Sequence, residues 1–387
     1  MEIRAGTPEA IFYGFDCKKN ALFWGDNLPV LKTLSEKSYL RGNVDLIYID
    51  PPFATNANFY CGNERVSTIS ARKTDALAYS DRKTGEQFLE FLRERLIFAR
   101  DLLSPQGSIY LHIDYKIGHY VKLIMDEIFG VENFRNDITR IKCNPKNFAR
   151  TAYGNVKDLI LFYSKAEKPI WNEPRIPYSD DDLKKLFPKT DTYGRAYTTI
   201  PLHAPGETLS GATGMAFRGI LPPAGRHWRS APEELEKLDD AGEIEWSSRG
   251  VPRRKIFADS QIGKKMQDIW EFKDPQYPNY PTEKNFEMLE NIIRASSNEN
   301  SIVLDFFCGS GTTLLAAQKL NRRWIGIDAS EIAIEVVKKR LFEKGILEDD
   351  FSMPTMTTTE PILVLCESEK ITEKIKKSKS SRSKKNK

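Results

Sequence analysis

The stretch Ser301-Ile302-Val303-Leu304-Asp305-Phe306-Phe307-Cys308-Gly309-Ser310-Gly311-Thr312-Thr313 decides how this chain is read. A short apolar strand enters a Gly-x-Gly turn and leaves it as a helix. Glycines let the backbone come close to a ligand, and a helix N-terminus offers unpaired N–H groups. Asp328 closes the next predicted strand, 324–328, where a carboxylate can accept hydrogen bonds from ribose hydroxyls. The dinucleotide fingerprint needs a third small residue three positions on, and position 314 is Leu. That departure disfavours NAD or FAD, and with them a nicotinamide oxidoreductase. S-adenosylmethionine carries a ribose without a pyrophosphate, so it does not need the third glycine. The plainer alternative is a tight β–α turn with no ligand.

The second informative stretch lies far upstream. Asp50-Pro51-Pro52-Phe53 directly follows Val44-Asp45-Leu46-Ile47-Tyr48-Ile49, an apolar run of the kind buried on both faces of a parallel sheet. Open α/β sheets place ligands at such strand ends. Consecutive prolines remove N–H donors and stiffen the turn, so acceptors dominate it. Such a turn suits an amino group on a flat base. The exocyclic amine of adenine is a poor nucleophile because its lone pair is delocalised into the ring. Asp50 and a backbone carbonyl of the Asp50–Pro51 or Pro51–Pro52 unit would accept its two N–H bonds and favour the pyramidal form that attacks a methyl donor. Phe53 would stack on the base, which must leave the duplex to be reached. Taken alone, D-P-P also fits a rigid turn with Asp as a cap.

Outward from these motifs the chain alternates strands and helices. Strands are expected at 21–24, 44–49, 108–113, 158–163, 302–305 and 324–328. Helices are expected at 28–34, 88–103, 121–129, 286–295, 312–320 and 332–342, and polar residues 54–84 read as a long loop. The alternation predicts an α/β fold with a doubly wound, mostly parallel sheet. Between 166 and 280 regularity breaks down into Pro-, Gly- and Trp-rich, charged sequence, which reads as an insert.

Composition narrows the class. Of 387 residues, 40% are hydrophobic, enough for a sizeable core, yet no run approaches a membrane span. The first fifteen residues lack the basic start and apolar run of a secretory signal. The odd cysteine count, five, with no C-x-x-C pair, argues against a disulfide framework or a zinc site, and no metal is expected. A reducing cytoplasm is the expected location. Residues 368–387 hold eight lysines, one arginine and two glutamates, a net of +7, so the rest of the +4 chain sums to −3. This tail reads as a basic disordered segment, either a solvated end or an arm with non-specific affinity for phosphates.

In combination these residues resemble the S-adenosylmethionine-dependent DNA amino-methyltransferases, adenine-N6 or cytosine-N4. Asp50-Pro51-Pro52-Phe53 is similar to the family's D-P-P-[YFW] catalytic motif. Asp305 to Thr313 is similar to its D-P-F-x-G-S-G-T-T cofactor motif, with Phe306 where Pro is usual. The catalytic motif comes first, an order that resembles the β class, which includes type II, type III and solitary enzymes. Further matches are Gly25-Asp26-Asn27-Leu28, Leu102 to Ile109, and Tyr280-Pro281-Thr282-Glu283-Lys284.

The resemblance implies a Rossmann-like methyltransferase sheet. Residues 21–165 would form the catalytic half, 166–280 a target-recognition insert, and 281–345 the cofactor-binding half. By position, Asp305, Phe306, Cys308, Gly309 and Gly311 would line the cofactor, Asp328 would hold its ribose, and Asp26 would approach its adenine. Thr282 and Lys284 resemble the segment that closes on the methionine end. Asn285 replaces a usual Pro, and Lys157 in Asn155-Val156-Lys157-Asp158-Leu159-Ile160-Leu161 replaces a usual His. Asp50 favours adenine, because cytosine-N4 relatives usually carry Ser there. The implied partners are double-stranded DNA, a cognate restriction endonuclease unless the enzyme is solitary, and a second copy of the chain. Cytosine-N4 methylation and a DNA-binding subunit with a degenerate site remain alternatives.

Within the insert, Arg218, Arg226, Arg229, Arg249, Arg253 and Arg254 interleave with Trp228, Trp246 and Phe257. Arginine suits phosphate clamping and bidentate guanine contacts, and aromatics can wedge or stack. The six arginines are the candidate DNA contacts. The alternative is a structural insert with core tryptophans and solvated arginines.

Overall fold

The two apolar runs that precede the motifs are neighbouring parallel strands at the middle of one sheet. In the computed structural model the described residues are 9–13, 15–36, 40–52, 57–62, 65–67, 76–81, 85–145, 149, 151–276, 278, 283–346 and 350–359. Contacts divide the chain into two compact units, Met1–Asn172 with Gln267–Lys387, and Glu173–Met266.

The first unit holds strands β1 (Asn20–Trp24), β2 (Val44–Ile49), β3 (Leu103–Ile113), β4 (Phe134–Ile141), β5 (Lys157–Ser164), β6 (Ile269–Trp270), β7 (Ile302–Asp305), β8 (Arg323–Asp328) and β9 (Phe351–Ser352). They form one sheet in the order β6-β4-β5-β3-β2-β7-β8-β1-β9. Its pairings are parallel except the two made by β5, which runs antiparallel to both β3 and β4. From β2 the chain proceeds outward to β3, and from β7 it proceeds the other way to β8. The gap between β2 and β7 is therefore a topological switch point, where open α/β sheets bind ligands beyond the strand C-termini.

Helices α1 (Asn27–Glu36), α2 (Glu86–Leu102), α3 (Tyr115–Phe129), α4 (Phe286–Ser296), α5 (Thr312–Lys319) and α6 (Glu331–Phe342) belong to the same unit. Periodicity and caps account for them. In α2 the buried residues Phe88, Leu92, Leu96, Ala99 and Leu102 fall at helical spacing. Helix α3 starts at Asp114, whose side chain accepts from the Lys116 N–H, and α6 starts at Ser330, which accepts from Ala333. The core runs through β2, β3, β7 and β8, with Ile47, Ile49, Ile109, Leu111, Leu304 and Ile325 buried.

Three local expectations are corrected. The supposed loop 54–84 contains strands Ala57–Gly62, Arg65–Ser67 and Ala76–Asp81, joined in an antiparallel sheet; scattered polar residues hid the pairing. Strand β3 starts at Leu103 instead of 108, so Pro105-Gln106-Gly107 lies inside it at a register shift against β2. Gly107 permits this, since a Cβ there would sit 2.8 Å from the Val44 carbonyl oxygen. Strand β4 has too many polar residues to be seen from alternation, and its Arg140 is fully buried.

Leu314 also finds its explanation here. The third glycine of a dinucleotide fold exists for close helix–strand packing. In this chain the small residue sits on the strand instead: a Cβ on Gly326 would meet Leu314 Cδ1 at 2.5 Å.

The second unit is built on a four-stranded antiparallel sheet of Lys189–Thr190, Ala196–Pro201, Pro252–Phe257 and Ile244–Trp246. A hairpin joins His203–Pro205 to Arg226–Trp228. Its core is Leu202, Phe217, Trp228, Leu235 and Ile244. The basic tail, 368–387, lies outside the described residues. No helix among the described residues is long and apolar enough to cross a membrane.

The Leu314–Gly326 contact is testable. Gly326→Ala is expected to destabilise the fold by about 1–3 kcal/mol through overpacking. Adding Leu314→Ala should cost less than the sum of the two single changes in urea unfolding; strict additivity would show that the two positions do not pack together.

Candidate active site

Register brings the two motifs together. Val303 is opposite Leu46 and Leu304 opposite Ile47, so Asp50 and Asp305 emerge from the same edge of adjacent strands. Asp50 Oδ2 is 2.5 Å from Lys284 Nζ. Asp50 Oδ1 is buried and has no hydrogen-bond partner among the described residues. A buried carboxylate oxygen left without a donor is costly, and such groups mark sites that await a ligand. Pro51 is buried and Pro52 half-buried, and neither nitrogen carries a hydrogen that could reach that oxygen. Phe53 and Thr282 lie outside the described residues.

The glycine loop is shaped by its neighbours. Gly311 adopts φ +72°, and a Cβ there would approach Val337 Cγ2 to 2.8 Å. The Gly309 N–H donates to Asp328 Oδ2 at 2.8 Å, and the Ser330 N–H to Asp328 Oδ1 at 2.8 Å. Asp328 thus fixes the loop and keeps lone pairs for further donors. Phe306 and Cys308 are buried, and burial pushes the Cys308 thiol well up, so it is not a ready nucleophile. Burial also pushes the Asp305 carboxyl up to about 7; the charges of Asp50 and Asp328 add to this, against hydrogen bonds from Thr313 and the Phe307 N–H.

Two supporting clusters escaped the sequence reading. Arg95, buried on α2, donates to Asp26 Oδ1 at 2.8 Å and to Asn27 Oδ1 at 2.5 Å. Asn27 in turn donates to the Phe306 carbonyl at 2.5 Å, tying the turn after β1 to the glycine loop. The only hint of this was a charged residue on the apolar stripe of a helix.

The other cluster lies around Tyr48, two residues before Asp50. The Tyr48 hydroxyl is 2.9 Å from His112 Nδ1, and His112 Nε2 is 3.3 Å from Asp158 Oδ2. Burial pushes the imidazole down and the phenol well up, so both are neutral near pH 7. Burial opposes ionisation of Asp158, but hydrogen bonds from His112 and Lys142 (2.6 Å) hold its carboxyl below the usual range. In the segment from Asn155 to Leu161, where Lys157 replaces a usual His, the buried contact is therefore made by Asp158, while Lys157 is exposed.

The site fits a cofactor with a cationic centre and a ribose: three acids, Asp50, Asp305 and Asp328, stand around a glycine cradle at the switch point. It also fits an amine donor at Asp50. A sequence profile of the N6/N4 DNA methylase family matches residues 44–339, spanning both motifs. The chain belongs to the N6/N4 DNA methylase family. The methylase is 43% identical over 329 residues to the Type II methyltransferase M.EcaI of Enterobacter cloacae, covering 83% of this chain and 69% of that protein. It is 42% identical over 339 residues to the Type II methyltransferase M2.DpnII of Streptococcus pneumoniae, covering 84% and 91%. It is 28% identical over 335 residues to the Type III StyLTI Mod subunit of Salmonella typhimurium, covering 78% of this chain and half of that one. The family consists of S-adenosylmethionine-dependent DNA methyltransferases, so S-adenosylmethionine is the cofactor and DNA the substrate of the methylase.

In the second unit, three of the six candidate arginines gather around His203. Arg226 reaches His203 Nδ1 at 3.3 Å, Arg229 bonds the Pro201 carbonyl at 3.2 Å, and Arg253 bonds Thr199 Oγ1 at 2.9 Å. Burial and then the charges of Arg226, Arg229 and Arg253 push the His203 imidazole down. Arg218 is instead engaged by Asp239 and Asp240. Arg249 and Arg254 are exposed. The aromatics serve packing: Trp228 and Phe257 are buried, and Trp246 stacks on Phe217 at 5.6 Å.

The Asp305 carboxyl makes stability depend on pH. The folded chain keeps this proton up to about 7, whereas an ordinary carboxyl loses it near 3.8. Between those values the folded state binds more protons, so stability falls as pH rises. Asp305→Asn, which keeps an acceptor, is expected to flatten this slope in urea unfolding from about pH 4 to 7. An unchanged slope would mean that Asp305 does not titrate there.

Proposed function

We propose that this methylase transfers a methyl group from S-adenosylmethionine to N6 of an adenine flipped out of double-stranded DNA, within a restriction-modification system. The observation that carries the reading is the buried Asp50 Oδ1, without a hydrogen-bond partner among the described residues, in a turn whose prolines supply no donors. S-adenosylmethionine supplies an electrophilic methyl group on a sulfonium. Asp50 Oδ1 accepts one amine N–H, and a carbonyl of the Asp50–Pro51–Pro52 backbone accepts the other, which localises the nitrogen lone pair. As the nitrogen lone pair forms the C–N bond, the methyl–sulfur bond would break, its electron pair would return to sulfur to leave the neutral thioether S-adenosylhomocysteine, and the Asp50 carboxylate would take the displaced proton. Phe53 stacks on the extruded base. Asp305, Phe306, Cys308, Gly309, Gly311 and Asp328 hold the cofactor, with Asp26 towards its adenine and Thr282 and Lys284 towards its methionine end.

The division of labour follows. Residues 21–165 form the catalytic half, 281–345 the cofactor half, and 166–280 read the DNA. Within that insert Arg226, Arg229 and Arg253, gathered around His203, are the first choice for phosphate contact. The setting in a restriction-modification system is supported by the relatives, two named as Type II methyltransferases and one as a Type III Mod subunit.

The test is transfer of labelled methyl from S-adenosylmethionine to DNA, followed by nucleoside analysis. Wild type is expected to yield N6-methyladenine. Asp50→Ala should lose at least about 100-fold in kcat, the scale of general acid–base contributions, while still binding cofactor. Methylation undiminished in Asp50→Ala would sink the mechanism, and N4-methylcytosine as the product would replace the substrate.

A further inference from the structure

Arg340 sits in the last turn of α6, a position where a cation commonly does no more than complement the helix dipole. Its contacts here go further. One guanidinium nitrogen donates to the Ser310 carbonyl at 2.7 Å and lies 3.1 Å from Thr312 Oγ1. The other pairs with Glu283 Oε1 at 2.8 Å, and both side chains are largely buried, at 15% and 6% exposure. Ser310 lies between the two glycines of the cofactor loop. Glu283 directly precedes Lys284, whose ammonium holds Asp50. The same helix meets the loop again at Val337, the side chain against which Gly311 packs.

We propose that Arg340 is a positioning residue for methyl transfer, clamping the glycine loop to the Glu283–Lys284 segment so that cofactor and catalytic carboxylate are set by one guanidinium. The proposal rests on the functional reading above. A planar fork suits such a clamp because its two ends face in different directions. Lysine, a point donor on a flexible stem, cannot reproduce both contacts. The loop side governs how well the cofactor is held. The Glu283 side governs where Lys284 places its charge beside Asp50, and so how Asp50 is oriented. The two sides predict different kinetic effects.

The experiment measures the S-adenosylmethionine dissociation constant by calorimetry and single-turnover methylation of DNA, on folded variants with thermal midpoints recorded. Arg340→Met should weaken cofactor binding and slow methyl transfer, each by about tenfold, the scale of a lost hydrogen bond to a charged group. Arg340→Lys should recover little of either. Glu283→Gln, which cuts the charge pairing but leaves the loop contact, should slow transfer by a larger factor than it weakens cofactor binding. Lys339→Met, an exposed cation beside Arg340, should change neither, which separates clamping from a helix-end charge. If wild type binds cofactor and methylates DNA while Arg340→Met keeps both values, the clamp is overturned and the functional reading stands. If Lys339→Met produces the same losses, the clamp is overturned in favour of a dipole effect. If wild type binds no cofactor, both fall.

Discussion

Everything at the site depends on the parallel pairing of β2 with β7, strands drawn from opposite ends of the catalytic unit. Each is nearly continuous apolar sequence and is buried on both faces, so neither is stable except at the centre of a helix-covered sheet. Placing them side by side puts two carboxylates, Asp50 and Asp305, at one edge of that sheet. Like charges brought together in a poorly solvated place are costly. The structure answers with an ammonium on Asp50 and a raised pKa on Asp305. The same arrangement, with its charge only partly compensated, is what suits the sulfonium of S-adenosylmethionine.

Around that pairing, the polar groups are held in chains. Arg95 and Asn27 fasten the turn after β1 to the glycine loop. Tyr48, two residues before Asp50, is joined in a second chain to His112, Asp158 and Lys142. Buried polar groups of this kind are tolerable only when their hydrogen bonds are made, and a satisfied network restricts its members to one arrangement. The strand that leads into Asp50 is therefore anchored through Tyr48. Asp50 Oδ1, which has no partner among the described residues, contrasts with those satisfied groups.

The second unit shows the opposite economy. Two of its aromatic residues, Trp228 and Phe217, are consumed by its own small core, where they pack edge to face. Of its six candidate arginines, Arg218 is taken by an internal ion pair, Arg226, Arg229 and Arg253 form a cationic group around His203, and Arg249 and Arg254 are exposed. Sequence alone presented all six arginines as equivalent, because each has the same chemistry and each lies in an irregular stretch.

The strands at 44–49 and 302–305, the helices that follow and the two motifs were legible in the sequence, because apolar runs, glycines and prolines act on their immediate neighbours. The resemblance to DNA amino-methyltransferases rested on those local signals. Strand β4 and the small sheet within 54–84 were not legible, since polar residues obscured their periodicity and only pairing made them strands. Nor were the contacts of Arg95, His112, Asp158 and Arg340 with their partners. A charged residue in a helix or strand carries no local mark of the partner it will meet across the fold. Sequence by itself determined the family and the two strand ends at which its motifs stand. Tertiary structure alone decided how the groups there are held, because ion pairs and buried hydrogen bonds depend on proximity in space, which the sheet order creates.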